Sequence, residues 1–469
     1  MKKITLLFIT ILIFSCSNEN EKPNLLFILV DDLGWTDVSY NKSDYYETIH
    51  IDNLSETSML FDNAYAASSV CSPTRASIMT GKHPARVNIT DWIPGLDPKN
   101  KPLLGPVDRN ELPLEETTIA EVLRDNNYST FYSGKWHLGS EGHYPEDQGF
   151  DVNIGGFEKG SPMGGYYSPY KNPRLSDGPE GEYLTDRLTL ETIELIRNRD
   201  TKKPFAAFLS FYNVHTPIQE NKEFIDYYVE KLKSYENTSP ETVKEGDAIT
   251  LLNQRNAKYA SMVHATDYNV GRIINFLKEN NLYENTLIVF TSDNGGLSTL
   301  RRVAPTSVYP LRAGKGWLYE GGIRIPQLIK LPKQINKEII SEPVVSYDLF
   351  PTIVNVLNLN HSVSDIDGVD LTNLFVKKDI ERDFIFWHFP HYHGSLWKPG
   401  SALRNNDWKL VELHEENKVE LYNLKDDISE TVDVSNRFPE ITSRLVNKLN
   451  EIKIDLGANK ATINENYNN

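Results

Sequence analysis

Three runs of apolar residues, each ending in polar side chains, constrain most strongly how this chain can fold. The runs and the polar residues that follow them are 24–30 with Asp31 and Asp32, 205–211 with His215, and 287–292 with Asp293 and Asn294. Because the runs lack regular polar alternation, we predict strands buried on both faces of a mostly parallel sheet. Helical patterns at 117–126, 183–198 and 259–279 lie between them and predict an α/β fold with helices on both sides. Ligands of such folds bind beyond the carboxyl ends of the strands.

The pattern changes from about residue 380, where short strand-like segments replace the longer apolar runs. These segments, and the amphipathic helix pattern that follows them, are 384–387, 408–413, 419–422 and 439–454. We therefore predict a main domain at 23–379 and a subdomain at 380–469, formed by a small antiparallel sheet, a helix and a polar tail. The tail at 457–469 is expected to be loosely held.

The charge balance excludes one class of partner. The chain has 49 basic and 65 acidic residues, a net charge of -16, and nucleic-acid affinity depends largely on Lys and Arg neutralising phosphates. We therefore expect no nucleic-acid partner. A small anionic ligand remains compatible with this balance, provided that a few cations are concentrated in one pocket.

The N-terminus has the features of an export signal. Two lysines precede an apolar stretch at 4–14, which is too short for a comfortable membrane span, so we predict a signal peptide at 1–15. The residues I-F-S-C ending at Cys16 resemble a bacterial lipobox, which implies an acylated Cys16 followed by a tether at 16–22. We expect an exported lipoprotein, periplasmic or on the cell surface, that meets the membrane only through this anchor. The alternative is an ordinary cysteine near a cleaved signal.

The segment 70–81 contains the signals of a helix start. Ser72 can cap the helix and Pro73 suits its first position, so Cys71 precedes a helix N-terminus. The positive end of the helix dipole favours an anion there, and Arg75, one turn further on, can point back to the same place. Cys71 is then either a nucleophile in an electropositive site or a small buried residue, and these local signals leave both open.

Five motifs give this chain a recognisable family likeness. C-S-P-T-R at 71–75 resembles the signature of the formylglycine-dependent sulfatases, in which the cysteine is oxidised to an aldehyde. Further sulfatase-like motifs follow in the family's order, and they are G-K-W-H-L-G at 134–139, H-T-P at 215–217, S-D-N-G-G at 292–296 and G-K-G-W-L-Y-E-G-G at 314–322. The resemblance covers about 23–430 and implies an alkaline-phosphatase-like fold. Q-G-F-D at 148–151 departs from the H-G-F-D of many relatives.

A metal site is expected at the predicted strand ends. The carboxylates of Asp31, Asp32 and Asp293, with the amide of Asn294, are hard oxygen ligands that suit Ca²⁺ or Mg²⁺. The resemblance favours Ca²⁺ and implies that the modified Cys71 belongs to the same ligand set. An acidic pair after a strand is by itself weak evidence, since such pairs are usually solvated turns.

Sulfate-ester hydrolysis explains why cations belong in this site. The ester oxygens carry negative charge, so the site must neutralise them while it holds a strong nucleophile in line. Lys135, Lys315 and the metal would provide the positive charge. The resemblance implies that Cys71 becomes formylglycine (3-oxoalanine), formed by a formylglycine-generating or an anaerobic maturating enzyme, and that its hydrate attacks sulfur through one hydroxyl. The second hydroxyl then loses its proton, the aldehyde re-forms and sulfate leaves.

The resemblance also implies roles for three further side chains. Arg75 orients the diol, His137 is its hydrogen-bond partner and base, and His215 donates a proton to the departing alcohol. Imidazole suits both tasks because its ordinary pKa lies near neutrality. We expect neighbouring anions to keep the histidines protonated.

A second histidine cluster lies near the predicted C-terminal sheet. His388, His391 and His393 occur beside Trp387 and Tyr392, a mixture suited to stacking on sugar rings and hydrogen bonding to hydroxyls or to a second sulfate. Packing between domains is the alternative explanation.

The expected substrate is a sulfated carbohydrate outside the cell. The motif spacings and N-I-T-D-W-I-P-G at 88–95 resemble bacterial relatives that act on galactose or N-acetylgalactosamine sulfates. Two other classes stay open: a phosphate-ester or phosphonate hydrolase on the same fold, and a glycan-binding lipoprotein without turnover. The first normally uses Ser or Thr as nucleophile, and the second has no need of intact catalytic residues.

Overall fold

A mixed sheet of eight strands forms the centre of the protein. The computed structural model describes residues 22–96, 98–235 and 240–467. The strands of the sheet, in spatial order, are Glu338–Ile340, Met59–Phe61, Gln327–Lys330, Thr286–Ser292, Asn24–Val30, Phe205–Ser210, Ser129–Gly134 and Val152–Ile154. Only Gln327–Lys330 runs antiparallel to its neighbours in this sheet. The predicted α/β fold with a mostly parallel sheet is therefore confirmed. The predicted signal peptide and Cys16 lie outside the described residues.

Both faces of this sheet are covered. Leu26 and Ile28 of the first strand belong to one buried cluster and Leu25 and Phe27 to another, because side chains alternate between the two faces. Helices cover each face, so the main domain has three layers. The α-helices among the described residues are Ile49–Ser55, Cys71–Thr80, Pro84–Val87, Ile119–Asp125, Leu184–Arg197, Ile225–Lys233, Ala257–Glu279, Glu320–Ile323, Leu349–Val356, Thr372–Phe375 and Pro439–Asp455.

The register of the central strands brings the predicted polar residues together. Val30 pairs with Ser292 in the parallel register of the first strand with Thr286–Ser292. The next residues, Asp31 and Asp293, therefore leave the sheet side by side at its carboxyl edge. The neighbouring strand Phe205–Ser210 ends at the same edge.

The C-terminal subdomain is a four-stranded antiparallel sheet with a helix on one face. Its strands are Ile385–Phe389, Gly400–Asn405, Trp408–Leu413 and Lys418–Asn423. Leu403 and Leu410 face the helix residue Leu445, whereas Trp387 and Val411 belong to a cluster shared with the main domain. The sheet is therefore packed between its own helix and the main domain.

Short strand pairs complete the fold. They are Thr242–Glu245 with Ala248–Leu251 and Thr299–Leu300, Ala64–Tyr65 with Val344–Val345, and Leu103–Leu104 with Thr462–Ile463. The last pair corrects the expectation of a loose tail. The Asn464 side chain is buried, and its amide donates to the carbonyls of Lys99 and Lys101 at 2.9 and 2.8 Å.

The search for membrane-spanning helices covered the same described part of the chain. None of the helices found there is both long enough and apolar enough to cross a bilayer.

Candidate active site

Four buried acidic or thiol groups meet where the central strands end. One ligand atom from each of Asp31, Asp32, Cys71 and Asp293 lies within 4.8 Å of the others. The Cys71 thiol donates to Asp31 Oδ1 at 3.4 Å, and the backbone amide of Asp32 donates to Asp293 Oδ1 at 3.1 Å. The structure thus brings together residues that are far apart in the sequence.

The helix that carries Cys71 begins two residues earlier than the sequence signals predict, so Cys71 is its first residue and does not precede it. It spans Cys71–Thr80 with Val70 at the cap position, so Ser72 is not the cap. The Ser72 hydroxyl instead donates to the carbonyl of His137 at 2.9 Å and accepts from the amide of Ile93 at 3.1 Å. Ser72 therefore ties the Cys71 helix to two other segments beside the site.

Two buried lysines neutralise two of the carboxylates. Lys135 Nζ lies 2.6 Å from Asp31 Oδ2, and Lys315 Nζ lies 2.6 Å from Asp32 Oδ1 and 3.4 Å from Cys71 Sγ. Burial alone would raise the pKa of Asp32, but Lys315 and His215 hold it far below its ordinary value. Lys315 thus places positive charge directly beside Cys71.

Arg75 reaches back to the acidic cluster beside Cys71. Its guanidinium lies 2.8 Å from Asp293 Oδ2 and donates to the Lys135 carbonyl at 2.7 Å and to Ser210 Oγ at 2.8 Å. None of its hydrogen bonds is with the Cys71 thiol. Arg75 therefore fixes Asp293 and the strand ends, and its guanidinium lies 3.9 Å from Asp31 Oδ1, the acceptor of the Cys71 thiol.

The acidic cluster has the donor set of a hard divalent cation. Asn294 donates to Asp32 Oδ1 at 2.8 Å, whereas its own Oδ1 is buried without a hydrogen-bond partner among the described residues. Burial, together with Asp293, raises the pKa of Asp31 although Lys135 acts in the opposite direction. An oxygen-preferring ion satisfies both the free amide oxygen and the clustered carboxylates.

His137 is held in a narrow slot beside the site. Its Nε2 lies 2.6 Å from the Ile93 carbonyl, and its Nδ1 is buried without a partner in the described part of the chain. A Cβ at Gly160 would lie 2.4 Å from the ring carbon Cε1, so only glycine fits there. Burial and Lys135 lower the pKa of His137 well below its ordinary value.

His215 faces the acidic cluster from the neighbouring strand end. Its Nδ1 is 2.8 Å from the Thr216 carbonyl, which requires a proton on that nitrogen, and its Nε2 is 3.9 Å from Asp32 Oδ2. Burial and Lys315 lower the pKa of His215 to about 3, against the opposing effect of Asp32. The expectation that nearby anions keep it protonated is therefore not met in the free protein.

The site opens into a cleft of about 750 Å³. Cys71, His137, His215 and Lys315 all line it, as does a loop at 158–163. Its residues Gly160 and Met163 form part of the wall. The cleft thus connects the buried cluster to the surface.

The second histidine cluster does not act as one group. His393 lines the cleft, but His388 and His391 are buried away from it. His388 contacts Ser401 Oγ at 2.8 Å and the Asn459 carbonyl at 2.7 Å. His391 Nε2 lies 2.8 Å from Thr90 Oγ1. His388 and His391 therefore join segments of the fold and do not reach a ligand in the cleft.

Sequence reasoning missed several residues of the cleft wall. Trp92, Leu96, Met163 and Arg302 all line the cleft, and none was assigned a role. Trp92 could have been found, because it lies within the family-like segment N-I-T-D-W-I-P-G at 88–95. Arg302 follows a two-residue strand in a polar loop, where no motif marks it.

The fold and site define a hydrolase whose oxygen ligands and cations gather at the ends of parallel strands. Residues 23–359 match the family model described as Sulfatase, and 313–455 match that of the N-sulphoglucosamine sulphohydrolase C-terminal region. The chain therefore belongs to the sulfatase family and is a sulfuric ester hydrolase.

Relatives and solved structures agree with this family. The chain is 28% identical to a sulfatase of Formosa agariphila, over 88% of this chain and 85% of that protein. It is 26% identical to the N-acetylgalactosamine-6-sulfatase of Mus musculus, over 78% and 69% of the two chains. The crystal structure of Ps i-CgsB in complex with k-i-k-neocarrahexaose has 29% identity and a TM-score of 0.73, and covers 92% of each chain.

Proposed function

We propose that this sulfatase removes sulfate esters from carbohydrates, with galactose or N-acetylgalactosamine sulfates of polysaccharides as its substrates. The observation that carries the proposal is the placement of Cys71 beside Lys315 at the inner end of an open cleft. A cleft of about 750 Å³ is within the range of cavities that bury most of a small ligand. A sugar ring can therefore enter with its sulfate directed towards Cys71.

The names of the relatives support this substrate class. One relative is an N-acetylgalactosamine-6-sulfatase, and one similar structure holds k-i-k-neocarrahexaose. The cleft wall adds a physical argument, since Trp92 and Met163 line it. Aromatic and apolar side chains pack well against the C–H groups on the face of a sugar ring.

The state of the Cys71 thiol supports its conversion to formylglycine. Burial raises the pKa of Cys71 to about 12, even though Lys135 and Lys315 act in the opposite direction. The unmodified side chain is therefore a neutral thiol at pH 7, and a neutral thiol is a poor nucleophile. Once oxidised and hydrated, this position supplies a geminal diol, one hydroxyl for attack and the other for release of sulfate.

Each charged group of this chain then has a defined task. Lys315 and Lys135 neutralise sulfate oxygens, and Arg75 holds Asp293 in place. His215 has its Nε2 free of hydrogen bonds in the described structure, so it can hold a proton for the leaving alcohol once a bound anion raises its pKa. Asp31, Asp32, Asp293 and the amide oxygen of Asn294 would hold Ca²⁺, in preference to Mg²⁺, and this ion would supply further positive charge.

The deciding experiment measures sulfate release from a panel of sulfated glycans. Protein matured in a host with a formylglycine-generating or anaerobic maturating enzyme is compared with Cys71→Ala, and aryl sulfate and aryl phosphate serve as controls. We expect one glycan class to lose sulfate, the variant to be inactive, and the aldehyde to appear in the mass of the Cys71 peptide. Alanine is chosen because some hosts can mature serine.

Three outcomes would reject the proposal. Phosphate release in place of sulfate release would favour a phosphate-ester or phosphonate hydrolase. A protein with the aldehyde that cleaves aryl sulfate but no glycan would lose the carbohydrate assignment. A protein with the aldehyde that binds glycans without any turnover would be the glycan-binding lipoprotein.

Export and lipid anchoring belong to the same proposal. The lipobox-like I-F-S-C ending at Cys16 and the apolar stretch before it support an exported lipoprotein, periplasmic or on the cell surface. The test is membrane fractionation of the wild-type protein and Cys16→Ala, with the mass of the N-terminal peptide. A soluble variant and an acylated wild-type peptide are expected, and equal distribution of both proteins would reject the anchor.

A further inference from the structure

We propose that Arg302 is a specificity determinant that binds a second anionic group, sulfate or carboxylate, on the same carbohydrate. This inference rests on the proposed function, because it concerns the part of the substrate that extends away from the cleaved ester. It assigns to the cleft a second anion site, separate from the one beside Cys71.

The charges that line the cleft carry the argument. Lys315 pairs with Asp32 at 2.6 Å, Lys159 with Glu158 at 3.6 Å, and Glu111 with His143 at 3.4 Å. Arg302 also lines the cleft, yet it has no ion pair or hydrogen bond with any other described residue. It is therefore the cleft cation whose charge is left for a ligand.

The position of Arg302 separates it from the reaction centre. Lys315 is only 7% exposed at the floor of the cleft, whereas Arg302 is exposed. Lys315 contacts Cys71 Sγ at 3.4 Å and can neutralise a sulfate held there, whereas Arg302 makes no contact with Cys71. An anion that Arg302 binds must therefore belong to a more distant part of the substrate.

The backbone before Arg302 is fixed by a small sheet. Leu300 pairs with Ile249, and the hydroxyls of Thr299 and Thr250 are 2.8 Å apart. Leu297 and Leu300 line the cleft on the same segment. The backbone next to Arg302 is therefore held in place, which lowers the conformational entropy lost when Arg302 binds an anion.

The chemistry of arginine suits this task. Its planar guanidinium binds the oxygens of carboxylates and phosphate-like anions in pairs, with defined geometry. The chain as a whole carries a net charge of -16 and repels a polyanionic glycan at long range. A local unpaired cation at the rim counteracts this repulsion where the substrate enters.

The neighbouring residue provides a matched control. Arg301 is exposed like Arg302, but it does not line the cleft. The two residues have the same charge and are adjacent in the chain. Arg301→Ala therefore reports the general effect of removing one positive charge from this loop.

The experiment uses the full, matured protein and three matched oligosaccharides. They carry the cleaved sulfate alone, the same sulfate with a second sulfate, or the same sulfate with a carboxylate. The values of kcat and KM are measured for wild type, Arg302→Ala, Arg302→Lys and Arg301→Ala. The second and third substrates distinguish the two sources of the anion.

We expect Arg302→Ala to lower the preference for one doubly charged substrate over the monosulfated one by about 10- to 100-fold, the range for a lost charge-assisted hydrogen-bond pair. The effect should lie mainly in KM, and Arg302→Lys should retain part of the preference. The inference is overturned if Arg302→Ala leaves the preference unchanged, or if Arg301→Ala lowers it equally.

Failure of the proposed function gives a different result. If the wild type cleaves aryl sulfate but none of the oligosaccharides, the carbohydrate assignment fails. The same oligosaccharides are then tested as inhibitors of aryl sulfate cleavage. Stronger inhibition by a doubly charged sugar that disappears in Arg302→Ala supports the anion site, and equal inhibition constants in both proteins overturn it.

Discussion

The central sheet and the C-terminal sheet both bury charge, but they do so in different ways. At the end of the central sheet, Asp31, Asp32 and Asp293 crowd together and Asn294 keeps an unpartnered oxygen. On an inner strand of the C-terminal sheet, Lys409 lies between two carboxylates, 2.9 Å from Glu320 and 2.8 Å from Glu430. We call these three residues the junction cluster.

The difference indicates what each cluster is for. The junction cluster joins the C-terminal sheet to Glu320, five residues after Lys315, and Glu430 accepts a hydrogen bond from the Glu320 amide at 2.6 Å. Arg324, 3.6 Å from Glu320, supplies a second cation, so the two glutamates are balanced within the protein. The three carboxylates at the cleft also have cations, Lys135, Lys315 and Arg75. This cluster, however, lies at an open cleft and keeps the unpartnered oxygen of Asn294, so it has an acceptor left for a ligand.

The largest predicted effect is on turnover, for Asp293→Asn. This change removes a carboxylate from the ligand set and the negative partner of Arg75. We expect kcat to fall by at least about 10³-fold, the scale for losing a preorganised charge in an active site. The checks are kcat of matured protein and its metal content by mass spectrometry. Turnover within tenfold of wild type, with the metal retained, would contradict the assignment of Asp293.

The second prediction concerns the junction cluster and is an effect on stability. Lys409→Met leaves Glu320 and Glu430 buried together without their cation. We expect the free energy of unfolding to fall by about 3–5 kcal/mol, the usual result of breaking a buried ion pair, while kcat of the folded enzyme changes little.

Urea unfolding measures this effect, and the double variant Lys409→Met with Glu430→Gln is its control. Removing both charges should restore part of the lost stability. A Lys409→Met protein as stable as wild type would mean that the junction cluster does not hold the two sheets together.

Chelation should destabilise the cluster at the cleft and leave the junction cluster unaffected. Removing a bound cation leaves the carboxylates of Asp31, Asp32 and Asp293 to repel one another, so we expect Tm to fall by roughly 5–10 °C, as for loss of a tightly bound ligand. Calorimetry with and without EDTA measures the shift. Added Ca²⁺ should restore it, and Asp293→Asn should show a much smaller shift. Equal shifts in both proteins would place the bound ion elsewhere.

The smallest predicted effect is a pH dependence of stability that arises from Glu412 in the C-terminal sheet. Burial alone would raise the pKa of Glu412, but the hydrogen bond with His414 and the charge of Lys453 lower it to about 2, from an ordinary value of 4.5. The unfolded chain therefore binds more protons between these two values. The contribution of Glu412 to stability should be constant above pH 4.5 and fall as the pH approaches 2.

We expect this fall to be about 1–2 kcal/mol, because Glu412 is partly exposed to solvent. Urea unfolding of the wild type and of Glu412→Gln at several pH values between 2.5 and 7 measures this fall in stability. The variant should lack this part of the pH dependence. Parallel curves for the two proteins would remove Glu412 as its source.

The core of the fold and the centre of the site could be predicted from the sequence because both follow from strand patterns. The run at 24–30 is apolar on both faces, and parallel neighbours in register bring Asp31 and Asp293 together. The motif at 71–75 added Cys71. These features depend on local residue types and on general rules of sheet geometry.

Features that depend on distant contacts could not be predicted. The strand Gly400–Asn405 was missed because its glycine, serine and asparagine favour turns, and its pairing on both sides decides its structure. The tail strand Thr462–Ile463 forms only because Leu103–Leu104 offers an edge. Similarly, Arg302 has no local signal, since its significance lies in the absence of a partner among the described residues.

The first strand has a consequence for how the protein would sit on a surface. Asn24–Val30 enters the sheet at the edge opposite the cleft, and its seven residues span about 23 Å at roughly 3.3 Å per residue. A tether attached before residue 22, as we propose for Cys16, would hold the enzyme by its base. The opening of the cleft would then face away from the bilayer, towards polymers too large to approach the lipid headgroups.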